Sequence, residues 1–131
     1  MAVSYVDLRS MSPSDFKNAY NNRDEKGLRK YLDYARSVCS DLLRSKSEIS
    51  DRDYVIEAAS NESIIYLYDH LEGYDPKKGA AFSSYFYGAI FYSLKRTLNE
   101  NGYYNWEGIN GNISAPEQAS REIFSKEMIP Y

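Results

Sequence analysis

Apolar side chains recur every three or four residues over long stretches of the chain, which is the spacing of amphipathic α-helices. The first long stretch runs from Glu25 to about Ser45 and places its apolar residues on one face. The second begins at Ser50, where Ser50 and Asp53 match a capping box, and continues to Glu72. Because no segment shows the sustained alternation of a β-strand, we predict an all-α fold, a small helical bundle.

A third long stretch follows a predicted turn. Gly73 is a natural helix stop, and residues 74–79 contain the aspartate, proline and glycine that favour turns. A helix is then predicted from Phe82 to about Asn99, with Ser83 or Ser84 as its N-cap. Its apolar and aromatic side chains cover more than one face. Such a helix is either wholly buried or presents an exposed aromatic face to a partner.

The two ends of the chain predict shorter elements. Residues 13–15, Pro-Ser-Asp, start a short helix to about Tyr20. Residues 99–112 are rich in asparagine and glycine and predict a loop, after which a capping box at 114–117 starts a short C-terminal helix to about Met128. We therefore divide the chain into an N-terminal arm with a short helix (1–22), a helical domain (23–100), and a loop with a C-terminal helix and tail (101–131).

The composition of the chain excludes several classes of protein. Its 131 residues suit one domain. The single cysteine, Cys39, and the single histidine, His70, leave no disulfide framework and no Cys/His set for zinc or a catalytic triad, so we expect no metal and no cofactor. The N-terminus lacks the apolar stretch of a signal peptide, and the longest apolar run is too short to span a bilayer. These features predict a soluble cytoplasmic protein that makes no membrane contact.

Charge is strongly segregated along the chain, although the net charge is only −3. Residues 51–75 contain seven acidic side chains and one basic one, Arg52, whereas residues 76–98 contain four basic side chains and no acidic one. The basic segment is also aromatic, in a chain that has 14 tyrosines. An acidic block followed by a basic, aromatic one indicates two surfaces with different partners, or else two solvated helix faces whose charges happen to cluster.

The string YDPKKGAAFSSYFY at residues 74–87 resembles, without a gap, a signature of region 2 of bacterial sigma factors, the initiation subunits of RNA polymerase. Upstream, Asn61-Glu62 followed by Ile65 resembles a helix of the same region at the correct distance. Downstream, Lys95-Arg96 lies where that family carries basic residues. The resemblance covers about a third of the chain, or about half if the helix from Leu28 to Ser45 belongs to the same region, and it implies a helical bundle similar to sigma factor domain 2.

The resemblance implies contacts with promoter DNA. Tyr85 occupies the position that captures a flipped base of the −10 element, and stacking one base on an aromatic ring is worth about 1–3 kcal/mol. The family's Trp-Trp wedge is replaced here by Gly88-Ala89, and its two residues that read the upstream base pair are replaced by Tyr92 and Lys95. Core packing is the alternative interpretation of the same rings. The residues expected to contact DNA are Lys77, Lys78, Phe82, Ser84, Tyr85, Phe86, Tyr87, Tyr92, Lys95 and Arg96.

The resemblance also implies a protein partner for the acidic helix, the basic clamp helices of the largest subunit of core RNA polymerase. The residues expected to bind polymerase are Asn61, Glu62, Ile65, Asp69 and Glu72. A chain with region 2 alone resembles the minimal sigma factors of bacteriophages, which use a co-activator for upstream contacts. The implied function is a non-enzymatic initiation factor that melts a −10-like element in a bacterial or phage-infected cell. The alternative is an inhibitor or modulator that mimics a sigma factor.

Overall fold

The described residues fold into four α-helices and no β-strand. The structure is a computed structural model that describes residues 11–44, 46, 49–79 and 81–103. Helix α1 spans Pro13–Asn21, α2 spans Glu25–Leu43, α3 spans Arg52–Asp69 and α4 spans Phe82–Glu100. Two single turns of 3-10 helix, Leu71–Gly73 and Pro76–Lys78, connect α3 to α4. The predicted all-α bundle is confirmed. The predicted C-terminal helix at 114–128 and most of the predicted loop lie outside the described residues.

The first two helices begin at side-chain caps. The hydroxyl of Ser12 accepts the backbone N–H of Asp15 at 3.1 Å, and Pro13 occupies the first turn of α1. The carboxylate of Asp24 accepts the N–H of Gly27 at 3.0 Å at the start of α2. These bonds satisfy N–H groups that have no partner within the helix. The predicted short N-terminal helix is therefore confirmed.

Two predicted caps are wrong. Helix α3 begins at Arg52 after Asp51, and no side chain caps it. The Ser50 hydroxyl lies 3.3 Å from the hydroxyl of Tyr103, which follows α4, and it does not cap α3. Helix α4 begins after Ala81, whose carbonyl accepts the N–H groups of the residues at 84 and 85, and neither predicted serine serves as its cap.

Arginines connect α3 to α2. The Arg52 guanidinium donates to the carbonyl oxygens of Leu43 and Lys46, the second at 2.8 Å, and so satisfies acceptors at the C-terminal end of α2. Arg36 on α2 donates two hydrogen bonds to the carboxylate of Glu57 on α3, at 2.7 and 3.1 Å. These contacts join α3 to α2 at two places along their length.

The predicted turn between α3 and α4 is confirmed. Asp75 accepts the N–H of Lys77 at 2.9 Å, Pro76 begins the second 3-10 turn, and Gly79 has a φ of +89°. A side chain at that φ would be strained, which is why glycine suits the position. Helix α3 itself ends at Asp69, three residues before the predicted end at Glu72. The first 3-10 turn, Leu71–Gly73, follows it.

Helix α4 is the central helix of the bundle. Fourteen of its nineteen residues are buried, and it packs against both α2 and α3. On the α2 side, the Phe86 ring lies 5.8 Å from the ring of Tyr31 and 5.6 Å from that of Tyr34. On the α3 side, the rings of Tyr92 and Tyr66 are 4.7 Å apart. Of the two interpretations of this apolar helix, burial is therefore the one the fold adopts.

Helix α4 ends in a Schellman motif. The N–H of Gly102, at φ +85°, donates to the Asn99 carbonyl, and the N–H of Tyr103 donates to the Leu98 carbonyl at 2.8 Å. The Tyr103 hydroxyl then donates to the Asp51 carboxylate at 2.6 Å. The C-terminal end of α4 is thus held beside the N-terminal end of α3.

Candidate functional site

The aromatic rings of α4 do not form the exposed platform expected from the sequence. Tyr85 is only 3% exposed and Phe86 is fully enclosed. The other side chains expected to contact bases on this helix are buried as well: Phe82, Ser84, Tyr87 and Tyr92. The expectation of uncovered rings is therefore wrong, because α4 packs against both α2 and α3 and ten of its first eleven residues are buried.

Tyr85 is held in the core by specific contacts. Its hydroxyl donates to the carbonyl oxygen of His70 at 2.9 Å, at the end of α3. The Tyr74 ring, on the turn, lies 5.3 Å from the rings of both Tyr85 and Phe82. Burial, and then the neighbouring Asp75 carboxylate, raises the pKa of Tyr74. The Tyr74 ring is therefore one of the groups that cover Tyr85 in the fold.

The predicted DNA-contacting basic residues lie at the two ends of α4. Lys77 and Lys78 are exposed on the turn before the helix, whereas Lys95 and Arg96 are half-buried in its fourth turn. Thirteen residues separate Phe82 from Lys95, which corresponds to about 20 Å along the helix axis. The two groups of positive charge are therefore far apart, and no exposed aromatic side chain of α4 lies between them.

Four of the five residues expected to bind polymerase lie on one side of α3, here called the outer face. Asn61, Ile65 and Asp69 follow one another at intervals of four residues and are all exposed, with Ile65 at 47%. Glu62 lies at the edge of this face, and Glu72 is exposed on the 3-10 turn that follows the helix. The sequence has no lysine or arginine between Asp53 and Pro76, and the arginines that reach this side of α3 come from α2 (Arg36) and α4 (Arg96). Each of these arginines contacts two carboxylates, so the face keeps an excess of acidic side chains.

Glu62 and Arg96 connect the two predicted surfaces. The Arg96 guanidinium lies 3.2 Å from the Glu62 carboxylate on α3 and 3.3 Å from that of Glu100 on its own helix. The side chains of Glu62 and Arg96 are 39% and 41% exposed, so solvent screens the pair and it contributes little to stability. A residue expected to bind polymerase and one expected to bind DNA are therefore partners within the folded chain.

One exposed residue of the outer face was missed by the sequence analysis. Tyr54, in the first turn of α3, is 59% exposed. Among the described residues, Tyr54 and Ile65 are the large apolar side chains that are exposed. The signal that could have identified Tyr54 is its spacing of eleven residues from Ile65, which places both side chains on nearly the same side of a helix.

His70 has a local structural role. Its Nδ1 lies 3.0 Å from the Tyr66 carbonyl oxygen, and its ring stacks on the Tyr66 ring at 4.3 Å. Within the part of the chain that the structure describes, no group of His, Cys, Asp and Glu side chains is arranged to hold a metal ion. No helix among those residues is both long and apolar enough to cross a membrane. The candidate site consists of the outer face of α3 and the basic residues Lys77, Lys78, Lys95 and Arg96.

Comparison with known proteins adds no family assignment to this geometry. The chain matches no family model, and it has no significant match among curated proteins or solved structures.

Proposed function

We propose that the protein is a sigma-like transcription initiation factor that binds core RNA polymerase through the outer face of α3. The observation that carries this proposal is an exposed helix face on which Ile65 lies between Asn61 and Asp69, beside Glu62. A basic helical surface, which is what the resemblance implies for the polymerase clamp, complements this face in charge. Such complementarity sets orientation and association rate, while burial of the isoleucine adds affinity.

Contact with promoter DNA is assigned to basic side chains. Lys77 and Lys78 extend from an exposed turn, and Lys95 and Arg96 are partly accessible further along α4. Lysine and arginine bind phosphates and position a protein on DNA without reading its sequence. Base capture by Tyr85 requires an exposed ring, so this part of the proposal includes displacement of Tyr74 from the Tyr85 ring during promoter opening.

A second candidate function is favoured by the burial of those rings. A sigma-mimicking protein that binds polymerase and blocks or modulates initiation needs the outer face of α3 but no base-stacking platform. The enclosed rings of Tyr85 and Phe86 fit that requirement as they stand. Both candidates place the protein in a bacterial or phage-infected cell with core polymerase as the partner, and a co-activator for upstream contacts belongs to the first.

Transcription in vitro separates the two candidates. The purified chain is added to a panel of bacterial core polymerases with promoter libraries, with and without a competing sigma factor. New transcripts support the initiation factor, and loss of the competing sigma factor's transcripts supports the modulator. Binding to none of the core enzymes contradicts both.

A charge reversal tests the proposed surface. Glu62→Lys is expected to weaken core binding, because it places a positive charge against a basic partner, while circular dichroism shows the fold retained. Ser40→Ala, at an exposed position on α2, is the control and should bind as the unmodified chain does. Equal core binding by the Glu62→Lys and unmodified proteins would exclude this face as the polymerase-binding surface.

A further inference from the structure

Tyr54 and Ile65 form a line along α3. They are eleven residues apart, which corresponds to about three turns, a rise of about 16 Å and a rotation of only about 20° from full alignment. Their exposure, 59% and 47%, is unusual for large apolar side chains in this bundle. Two such residues on one side of a straight helix can both contact a single straight element of a partner.

Smaller side chains lie between the two residues. Ala58 is half-buried and Asn61 is exposed, and neither is a bulky apolar residue. Helices pack by inserting the side chains of one between those of the other, so a small residue between two larger ones suits contact with another helix.

Acidic side chains border the line on both sides. Glu57 lies on one edge, and Glu62 and Asp69 lie on the other. Arg36 pairs with Glu57 and Arg96 pairs with Glu62, but these pairs are exposed and leave the carboxylates accessible to other cations. A partner that covers the apolar line must place basic groups beside both edges.

We infer that Tyr54 is a second apolar anchor of the proposed polymerase-binding face, so that the basic partner helix contacts α3 along about three turns. The inference rests on the proposed function and extends it, because it adds a contact site that the sequence resemblance does not include. The partner helix carries apolar residues about three turns apart and lysine or arginine on each side of them.

Two other candidates that could cover the outer face complement its acidic charge less well. Residues 104–131 contain four acidic and two basic side chains, so this segment does not complement an acidic face. A second copy bound through the same face would bring two acidic surfaces together, which costs free energy. Charge complementarity therefore selects a basic partner.

Alanine substitutions test the two anchors by equilibrium binding to core polymerase. Tyr54→Ala is expected to weaken binding about tenfold or more, as is Ile65→Ala, since buried aromatic and aliphatic anchors dominate interface affinity. The double variant should lose the product of the two factors, because sites this far apart act independently. Tyr54→Phe should bind almost normally, and Ser40→Ala is the surface control.

The outcomes separate failure of this inference from failure of the proposed function. If the unmodified chain binds core and Tyr54→Ala binds equally well, Tyr54 is not an anchor, although the proposed function stands. If the unmodified chain binds no core polymerase, the proposed function fails and the inference fails with it. If sedimentation shows that Tyr54→Ala abolishes a dimer, the occupant is a second copy, and the inference is overturned.

Discussion

Replacing Tyr85 with alanine distinguishes a core residue from a base-capturing one. The substitution removes a ring that is 3% exposed and a hydroxyl that donates to the His70 carbonyl at 2.9 Å. The sequence resemblance alone predicts that Tyr85→Ala impairs promoter opening and spares core binding. The structure predicts instead that the same variant loses stability, and that core binding and promoter opening fall together to the extent that the variant unfolds.

The expected loss is large for a domain of this size. Truncating a buried aromatic side chain to alanine costs about 3–5 kcal/mol, because apolar contacts are lost and a cavity remains. The hydrogen bond accounts for about 1 kcal/mol of that, which Tyr85→Phe measures separately. Since small domains are stable by about 5–15 kcal/mol, the alanine variant loses a substantial fraction of its total stability.

Urea denaturation followed by far-UV circular dichroism measures the effect. Unmodified protein, Tyr85→Phe and Tyr85→Ala are compared by their midpoints, with unchanged slopes confirming the same unfolding transition. A free energy of unfolding for Tyr85→Ala within about 0.5 kcal/mol of the unmodified value, the usual range for surface sites, would refute the assignment of this ring to the core. If that stable variant also bound core polymerase but failed to open a promoter, base capture by an exposed Tyr85 would be supported instead.

Two further predictions follow from buried or paired ionisable groups. Burial by itself raises the pKa of Asp15, but hydrogen bonds from Lys30 at 2.9 Å and Tyr31 at 2.8 Å outweigh it, and the pKa is lowered from 3.8. The carboxylate therefore stabilises the fold above about pH 4 and ceases to do so as the pH falls through the lowered pKa. The melting temperatures of Asp15→Asn and of the unmodified protein should differ at about pH 7 and converge near pH 2. Burial raises the pKa of the Cys39 thiol to about 12, so a thiol reagent should label it in urea but not in the native protein; rapid native labelling at pH 8 would contradict its position in the core.

The helices could be predicted from the sequence because local spacing determines them. The stripe from Leu28 to Leu43 has one apolar side, so both the helix and most of its buried residues follow from periodicity. The turn at 74–79 follows equally from its proline, aspartate and glycine. The predicted caps at Ser50 and at Ser83 or Ser84 are wrong, because α3 begins after Asp51 and α4 begins after Ala81, without side-chain caps. The Ser50 hydroxyl instead contacts Tyr103, a residue far away in the sequence.

The exposure of the candidate site could not be predicted in the same way. Helix α4 is apolar on nearly all sides, so its periodicity does not decide whether a neighbouring helix or solvent meets the Tyr85 ring. Helix α3 has apolar residues in several directions, including Val55, Ile56 and Ile64, and its outward direction emerges only when α2 and α4 have packed against it. Tyr54 therefore looks like one more core residue in the sequence and becomes a surface residue in the fold.

The ion pair between Glu62 and Arg96 couples the two proposed binding events, polymerase binding at α3 and phosphate binding at α4. A polymerase group that draws Glu62 away leaves Arg96 without one of its two carboxylate partners, Glu100 being the other, and so more available to phosphate. Phosphate that draws Arg96 away leaves Glu62 more available to polymerase. Thermodynamic linkage requires the two enhancements to be equal. Because both side chains are about two-fifths exposed, the pair is worth at most about 1 kcal/mol, which limits the mutual enhancement to roughly fivefold.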